Sequence, residues 1–404
     1  MASMNSGMSV RRVGMQVSAL VLLAASSMML SSCGSFFQCE GKPDCPSTCV
    51  ASSTVTCPPT GGSGGTGTDF AYVANSATAT TDVNEYNLGS GALTAVSGEP
   101  QNFDYSPVSM AVTTADTFLY AASDSNISTG NIYAYSIGTG GALTLLGGGP
   151  QINENDAALA VSPDGQWLFT LPSAALIINE YSAKTTTGAL GGLQNSYDLA
   201  SAPTGSITPV SIAVAPSGKY FAAALATGGA NLFPFDTTTG AMPTGQGAVG
   251  INPGSAAAGI YAVAFDSTNN LYCAGTAGLQ VFSVTPTALT ILKTYPLGNA
   301  PRSIAINSAS TFVYVGNETD STISAYSIGT GGVLTAVPGS PFAGPTSVNS
   351  LAIDTTGTHL IASGYNASTG IQLFSISSTG VLTSVATAGT GTSVLIPGAI
   401  AATH

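Results

Sequence analysis

Charge is nearly missing from this chain. Only 6% of its 404 residues are charged, with seven Lys and Arg against 19 Asp and Glu, two His and one Trp. The shortage of base excludes nucleic acid as a natural partner, because neutralising phosphates takes Lys and Arg. The shortage of His argues against a quinoprotein or metal-dependent dehydrogenase, which would need a His cluster or a cationic pocket. No Asp-x-Asp-x-Asp-Gly calcium loop occurs. Neither a metal nor a cofactor is expected. Long apolar runs are also absent: the longest, Val17 to Leu30, is too short and too Ser-rich to span a bilayer comfortably.

That run belongs to a targeting segment, residues 1–32, with Arg11 and Arg12 as its positive region. It ends in Leu30-Ser-Ser-Cys33-Gly34, which resembles the bacterial lipobox. The resemblance implies lipidation of Cys33. Gly34 after it, rather than Asp, implies sorting to the outer membrane, on its periplasmic or surface-facing side. The membrane would then be met only through the acyl chains. Residues 33–68 read as a tether of Gly, Ser, Thr and Pro that cannot build a core. Four Cys lie in it, Cys39, Cys45, Cys49 and Cys57. In an exported protein they are disulfide candidates with three possible pairings. Their spacing lacks the Cys-x2-Cys knuckles of a zinc site. Gly61-Gly-Ser-Gly-Gly65 and Gly62-Ser-Gly-Gly-Thr-Gly67 imitate hydrolase and dinucleotide motifs, but neither lies on a strand–turn–helix. Cys273 replaces Val or Ala of other copies and reads as a buried small hydrophobe.

What the chain has in abundance is repetition. Ala134-Tyr-Ser-Ile-Gly-Thr-Gly-Gly141 recurs letter for letter at Ala325 to Gly332. Apolar first strands begin near Pro107, Asp156, Pro209, Ile260, Pro301 and Val348, at spacings of 49, 53, 51, 41 and 47 residues. Each is followed by a turn, a second apolar strand, an alternating third strand, a Gly-rich turn and a short fourth strand. The continuous apolar character of the first two strands predicts burial on both faces; the outer two should be half-exposed. The first unit starts at Phe70, already a second strand, and the chain ends in a lone first strand, Ile396 to Ala402. Joined, the two ends complete a seventh copy and remove an unpaired edge. The reading is all-β: a seven-bladed β-propeller over residues 69–404, expected to be a monomer. A β-solenoid or a pair of β-sandwiches would not explain the split copy.

In a repeat protein, chemistry should sit where one copy departs from the others. The residue after the first-strand Pro is Val108, Ala157, Val210, Tyr261, Arg302, Asn349 and Gly398 across the copies. Arg302 is the only arginine beyond the targeting segment. Just past the second strand stand Ser76, Asp124, Ser173, Ala226, Thr276, Glu318 and Tyr365, of which only Asp124 and Glu318 are acidic. First and second strands are antiparallel, so Arg302 and Glu318 should sit side by side at the channel mouth of blade 6. Tyr261, Asn349 and Ser303 are expected at the same mouth. The pair is either a structural salt bridge or a carbonyl polariser beside a general base, with Asp124 assisting.

Residues 69–404 resemble the seven-bladed lactonase family, whose founding activity is 6-phosphogluconolactonase. They also resemble the Tyr-Val-Thr-Asn repeats, in Tyr72-Val-Ala-Asn75 and Tyr314-Val-Gly-Asn317. The lactonase family often shows Pro-Arg-His on an inner strand and Asn-Glu on the next. Here Pro301-Arg302-Ser303 and Asn317-Glu318 keep the Arg and Glu and replace the His by Ser303. The remaining histidines, His359 and His404, fall elsewhere. The expectation is a lipid-anchored envelope propeller that binds a protein or glycan. The alternative is a lactone hydrolase using Arg302, Glu318 and Asp124 on a non-phosphorylated lactone.

Overall fold

The computed structural model describes residues 69–403 apart from 78–79, 90, 98–100, 104, 106, 124–129, 200–205, 253–257, 286–287, 367 and 390–396. Cys33, Cys39, Cys45, Cys49, Cys57, Asp124 and His404 therefore lie outside the described residues. Seven antiparallel sheets follow one another as blades, each a meander from an innermost to an outer strand. The innermost strands are Pro397–Ala402, Pro107–Val112, Asp156–Val161, Ser211–Val214, Ile260–Phe265, Pro301–Ile306 and Ser350–Ile353, in blades 1 to 7. Each packs beside the next and the last beside the first, so the ring closes.

Closure uses both chain ends. Phe70–Ala77 pairs antiparallel with Pro397–Ala402, placing Tyr72 opposite Ala401 and Val73 opposite Ile400. Phe70 and Thr403 complete the seam: the Thr403 amide donates to Phe70 O, and the Phe70 amide to Thr403 Oγ1, each at 2.9 Å. Two blades exceed the expected four strands. Gln101–Asn102 and Phe342–Ala343 pair with the third strands of blades 1 and 6. In both, the chain crossing to the next blade runs back along the third strand beyond the end of the short fourth strand.

Burial departs from the expectation for the first strand. The second strands are the most enclosed: Phe118–Ser123 and Tyr220–Ala224 are buried at every position. Pro301–Ile306 is buried only at Pro301. The reason is geometric. A second strand has a neighbouring blade against each face, whereas an innermost strand turns one face to the axis, where solvent reaches it.

The repeated glycines and tyrosines form one device. In blades 1, 2 and 6 the second strand begins with Phe70, Phe118 or Phe312, followed two residues on by a tyrosine. Tyr72 Oη donates to Gly141 O at 2.8 Å, Tyr120 Oη to Gly188 O at 3.1 Å and Tyr314 Oη to Gly380 O at 3.0 Å. Each acceptor belongs to the outer turn of the next blade and has φ of 85°, 67° or 82°. Each also packs under the phenylalanine, so a Cβ at Gly380 would come within 2.5 Å of Phe312. Glycine is required twice there, by dihedral and by contact. Gly380→Ala should lower stability by about 3 kcal/mol, read as an earlier thermal transition. Cys273 is fully buried and burial raises its thiol pKa, so it should resist maleimide until the protein unfolds.

Candidate active site

Arg302 owes its position to a β-bulge. Pro301 faces Asn317 and Ser303 faces Gly316, leaving Arg302 as the extra residue. A bulge re-aims the side chain it carries. The same irregularity recurs at Pro107/Ser109, Asp156/Ala158 and Ile260/Ala262, so Val108, Ala157 and Tyr261 hold equivalent places. Glu318 follows Asn317, whose buried amide donates to Thr322 Oγ1 at 3.1 Å and Ser324 Oγ at 3.0 Å. The Glu318 amide donates to Ala300 O at 2.9 Å, tying the strand end to the approach of the innermost strand. Asn299 clamps the same two segments, its amide and side chain donating to the Asp320 carboxylate at 2.7 and 2.9 Å. Those bonds hold the Asp320 carboxyl below its ordinary pKa.

The two side chains meet. Arg302 Nε donates to Glu318 Oε2 at 2.7 Å, with 42% of the Arg and 23% of the Glu side chain exposed. The Arg302 guanidinium also lies over the Tyr261 ring of blade 5, 5.1 Å from its centroid. From blade 7, the Tyr365 phenol lies near both charges. Burial, and secondly the Glu318 charge, raise its pKa, while Arg302 opposes them. Asn349 is part-buried, with its amide donating to Ser363 O at 2.9 Å. Ser303 turns inward: its Oγ is buried without a hydrogen-bond partner, against Gly316 and Val348. His359 sits at the far end of its blade from this mouth, Nδ1 2.8 Å from Asp354 Oδ2. The mouth thus offers a guanidinium with N–H groups beyond the one given to Glu318, a carboxylate and a phenol. The sequence does not single out Tyr365, because it is one of five uncharged members of its ring of positions. Its electrostatic interaction with the pair crosses between blades.

A second acidic cluster lies at blade 3. Asp156 occupies the position of Pro107, Ile260 and Pro301 and is fully buried. Burial, and then the charge of Glu154, push its pKa up to about 8. A carboxyl raised above its unfolded value contributes stability in full below about pH 4, and that contribution is lost as pH rises through about 8. Asp156→Asn should therefore gain on the parent in Tm between about pH 5 and pH 9 in chelating buffer. A pH-independent Tm difference would contradict this.

Residues 70–175 and 260–395 match the family described as Lactonase, 7-bladed beta-propeller, over more than half of the sequence, and the chain belongs to that family. Residues 176–259 fall outside the match. Among solved structures, a proposed 6-phosphogluconolactonase from Bacteroides uniformis superposes with a TM-score of 0.67 at 17% identity, covering 83% of this chain and 99% of that one. The periplasmic gluconolactonase PpgL of Pseudomonas aeruginosa superposes with a TM-score of 0.66 at 14% identity, covering 83% and 99%. At these identities the likeness concerns the fold. No curated protein matches the sequence.

Proposed function

We propose that this propeller hydrolyses a lactone at the blade 6 mouth. The observation that carries the reading is the pairing of Arg302 with Glu318 at 2.7 Å in a member of the lactonase family. In the proposed step, Arg302 N–H groups not engaged by Glu318 hold the lactone carbonyl oxygen. Glu318 takes a proton from water as the water oxygen attacks the carbonyl carbon. The ring C–O bond then breaks, and the leaving alkoxide recovers the proton from Glu318 to give the hydroxy acid. Charge developing on the carbonyl oxygen is what the guanidinium stabilises, and proton removal from water is general-base work. The Tyr365 phenol, which feels both charges, is assigned the orienting of the leaving oxygen.

Export and lipidation at Cys33 are part of this proposal, supported by the lipobox-like Leu30-Ser-Ser-Cys33. They make a non-phosphorylated envelope lactone the substrate class, since phosphorylated sugar lactones are cytosolic metabolites. The test is a panel of phosphorylated and non-phosphorylated lactones with purified protein, followed by acid release. Turnover of no lactone above buffer would overturn the hydrolase reading in favour of an envelope binding role. Ser303, standing after Arg302 where the family often has His, is the feature on that side. Labelling by radioactive palmitate, lost in Cys33→Ala, checks the anchor.

A further inference from the structure

Blade 3 holds a group of oxygen atoms that the lactonase reading does not use. Glu154 is half-buried, and its carboxylate accepts from Thr170 Oγ1 at 2.7 Å, from Tyr181 Oη at 3.3 Å and from the Asn179 amide. Asp156 lies beside it, close to Thr170 and Tyr181, and has no exposed surface. Neither Asp156 oxygen has a hydrogen-bond partner. Thr170 offers one hydroxyl proton, which the short bond to Glu154 engages. Between the two acids, the Asn155 Oδ1 is also buried and unpartnered.

Among the described residues, no protein cation answers these carboxylates. Beyond the tether the chain has only Lys184, Lys219, Lys293 and Arg302. Among the described residues, Arg302 pairs with Glu318, and the other ion pair joins His359 to Asp354. A buried carboxylate with no donor costs several kcal/mol in its ionised form, and a cation from outside the chain would relieve that cost. The surrounding atoms are carboxylate, hydroxyl and amide oxygens, with no thiol or imidazole. That set suits a hard divalent ion, and irregular oxygen coordination suits calcium better than magnesium, which demands a near-ideal octahedron.

We propose that Glu154 and Asp156 bind a calcium ion, with Thr170 and Tyr181 at its margin. The partly exposed Glu154 gives solvent a route to the site. The contributing residues come from the approach to the innermost strand, the strand itself, the second strand and the third. An ion there would cross-link three strands of one blade, and no contiguous motif would announce it.

The experiment is equilibrium dialysis of the purified protein against radioactive calcium, beside Asp156→Asn and Glu154→Gln. One ion per chain is expected for the parent, with affinity at least tenfold weaker in each variant. Calcium should also raise the parent Tm over that in chelator by about 3 °C, and the Tm of Asp156→Asn by much less. Should Asp156→Asn fail to fold, Glu154→Gln carries the comparison. Failure of the parent to retain calcium, or equal retention by both variants, would overturn the proposal. Displacement by equimolar magnesium would overturn the assignment to calcium.

Discussion

Glu318→Gln should lower lactone turnover at least 100-fold while leaving the thermal transition almost unmoved. Gln keeps the size of Glu and can still accept from Arg302, but it cannot take a proton from water. Arg302→Ala should cost a comparable 100- to 1,000-fold by removing the donor aimed at the developing oxyanion. The two groups act as one unit, so the double variant should be little worse than either single. The stability side separates catalysis from architecture. With 42% of the Arg side chain in solvent, this ion pair is worth about 0–1 kcal/mol. A structural bridge would show the reverse pattern, with turnover retained and the transition shifted. Initial rates and melting curves on the same preparations read both quantities. Wild-type turnover in Glu318→Gln would remove Glu318 from the chemistry.

Deletion of residues 397–404 should abolish cooperative folding. Pro397–Ala402 is the innermost strand of blade 1 and contributes buried Ile400, Ala401 and Ala402. Its loss would leave Phe70–Ala77, whose first five residues are apolar and buried, with an open edge. It would also remove the neighbour that the innermost strands of blades 2 and 7 pack against. Unpaired apolar edges recruit other chains, so the expected product is soluble aggregate or inclusion bodies. A milder probe is Ile400→Asp, which keeps the backbone pairing and places a carboxylate at a site 8% exposed. It should cost about 3 kcal/mol or more. A monomeric deletion variant with a sharp transition, by size exclusion and circular dichroism, would refute the view that this strand closes the ring.

The ring was legible because its units repeat and because one unit is cut between the termini. The adjacency of Arg302 and Glu318 was legible too: a hairpin places residues equally far from its turn opposite one another. Other features needed coordinates. An apolar run does not say whether one face looks onto an axis, so the half-exposure of Pro301–Ile306 was not foreseen. The bulge that frees Arg302 is a matter of register, which no residue type marks. Ser303 was expected at the mouth from its place in the triplet, yet its hydroxyl points into the blade. Asp156 is visible in sequence as the one acid among the residues opening the strands, but its nearness to Glu154, Thr170 and Tyr181 comes from the fold. Tyr365 is brought to the pair by packing between blades.

The seam between Phe70–Ala77 and Pro397–Ala402 also has a mechanical side. A pull on the chain at Asp69 enters the molecule through a strand bonded on both edges, to Thr80–Asn87 and to Pro397–Ala402. Along the strand axis, force would load two rows of hydrogen bonds together, instead of opening one row bond by bond. In single-molecule stretching, a handle at Asp69 should therefore meet its highest resistance at the first event, before any later blade yields.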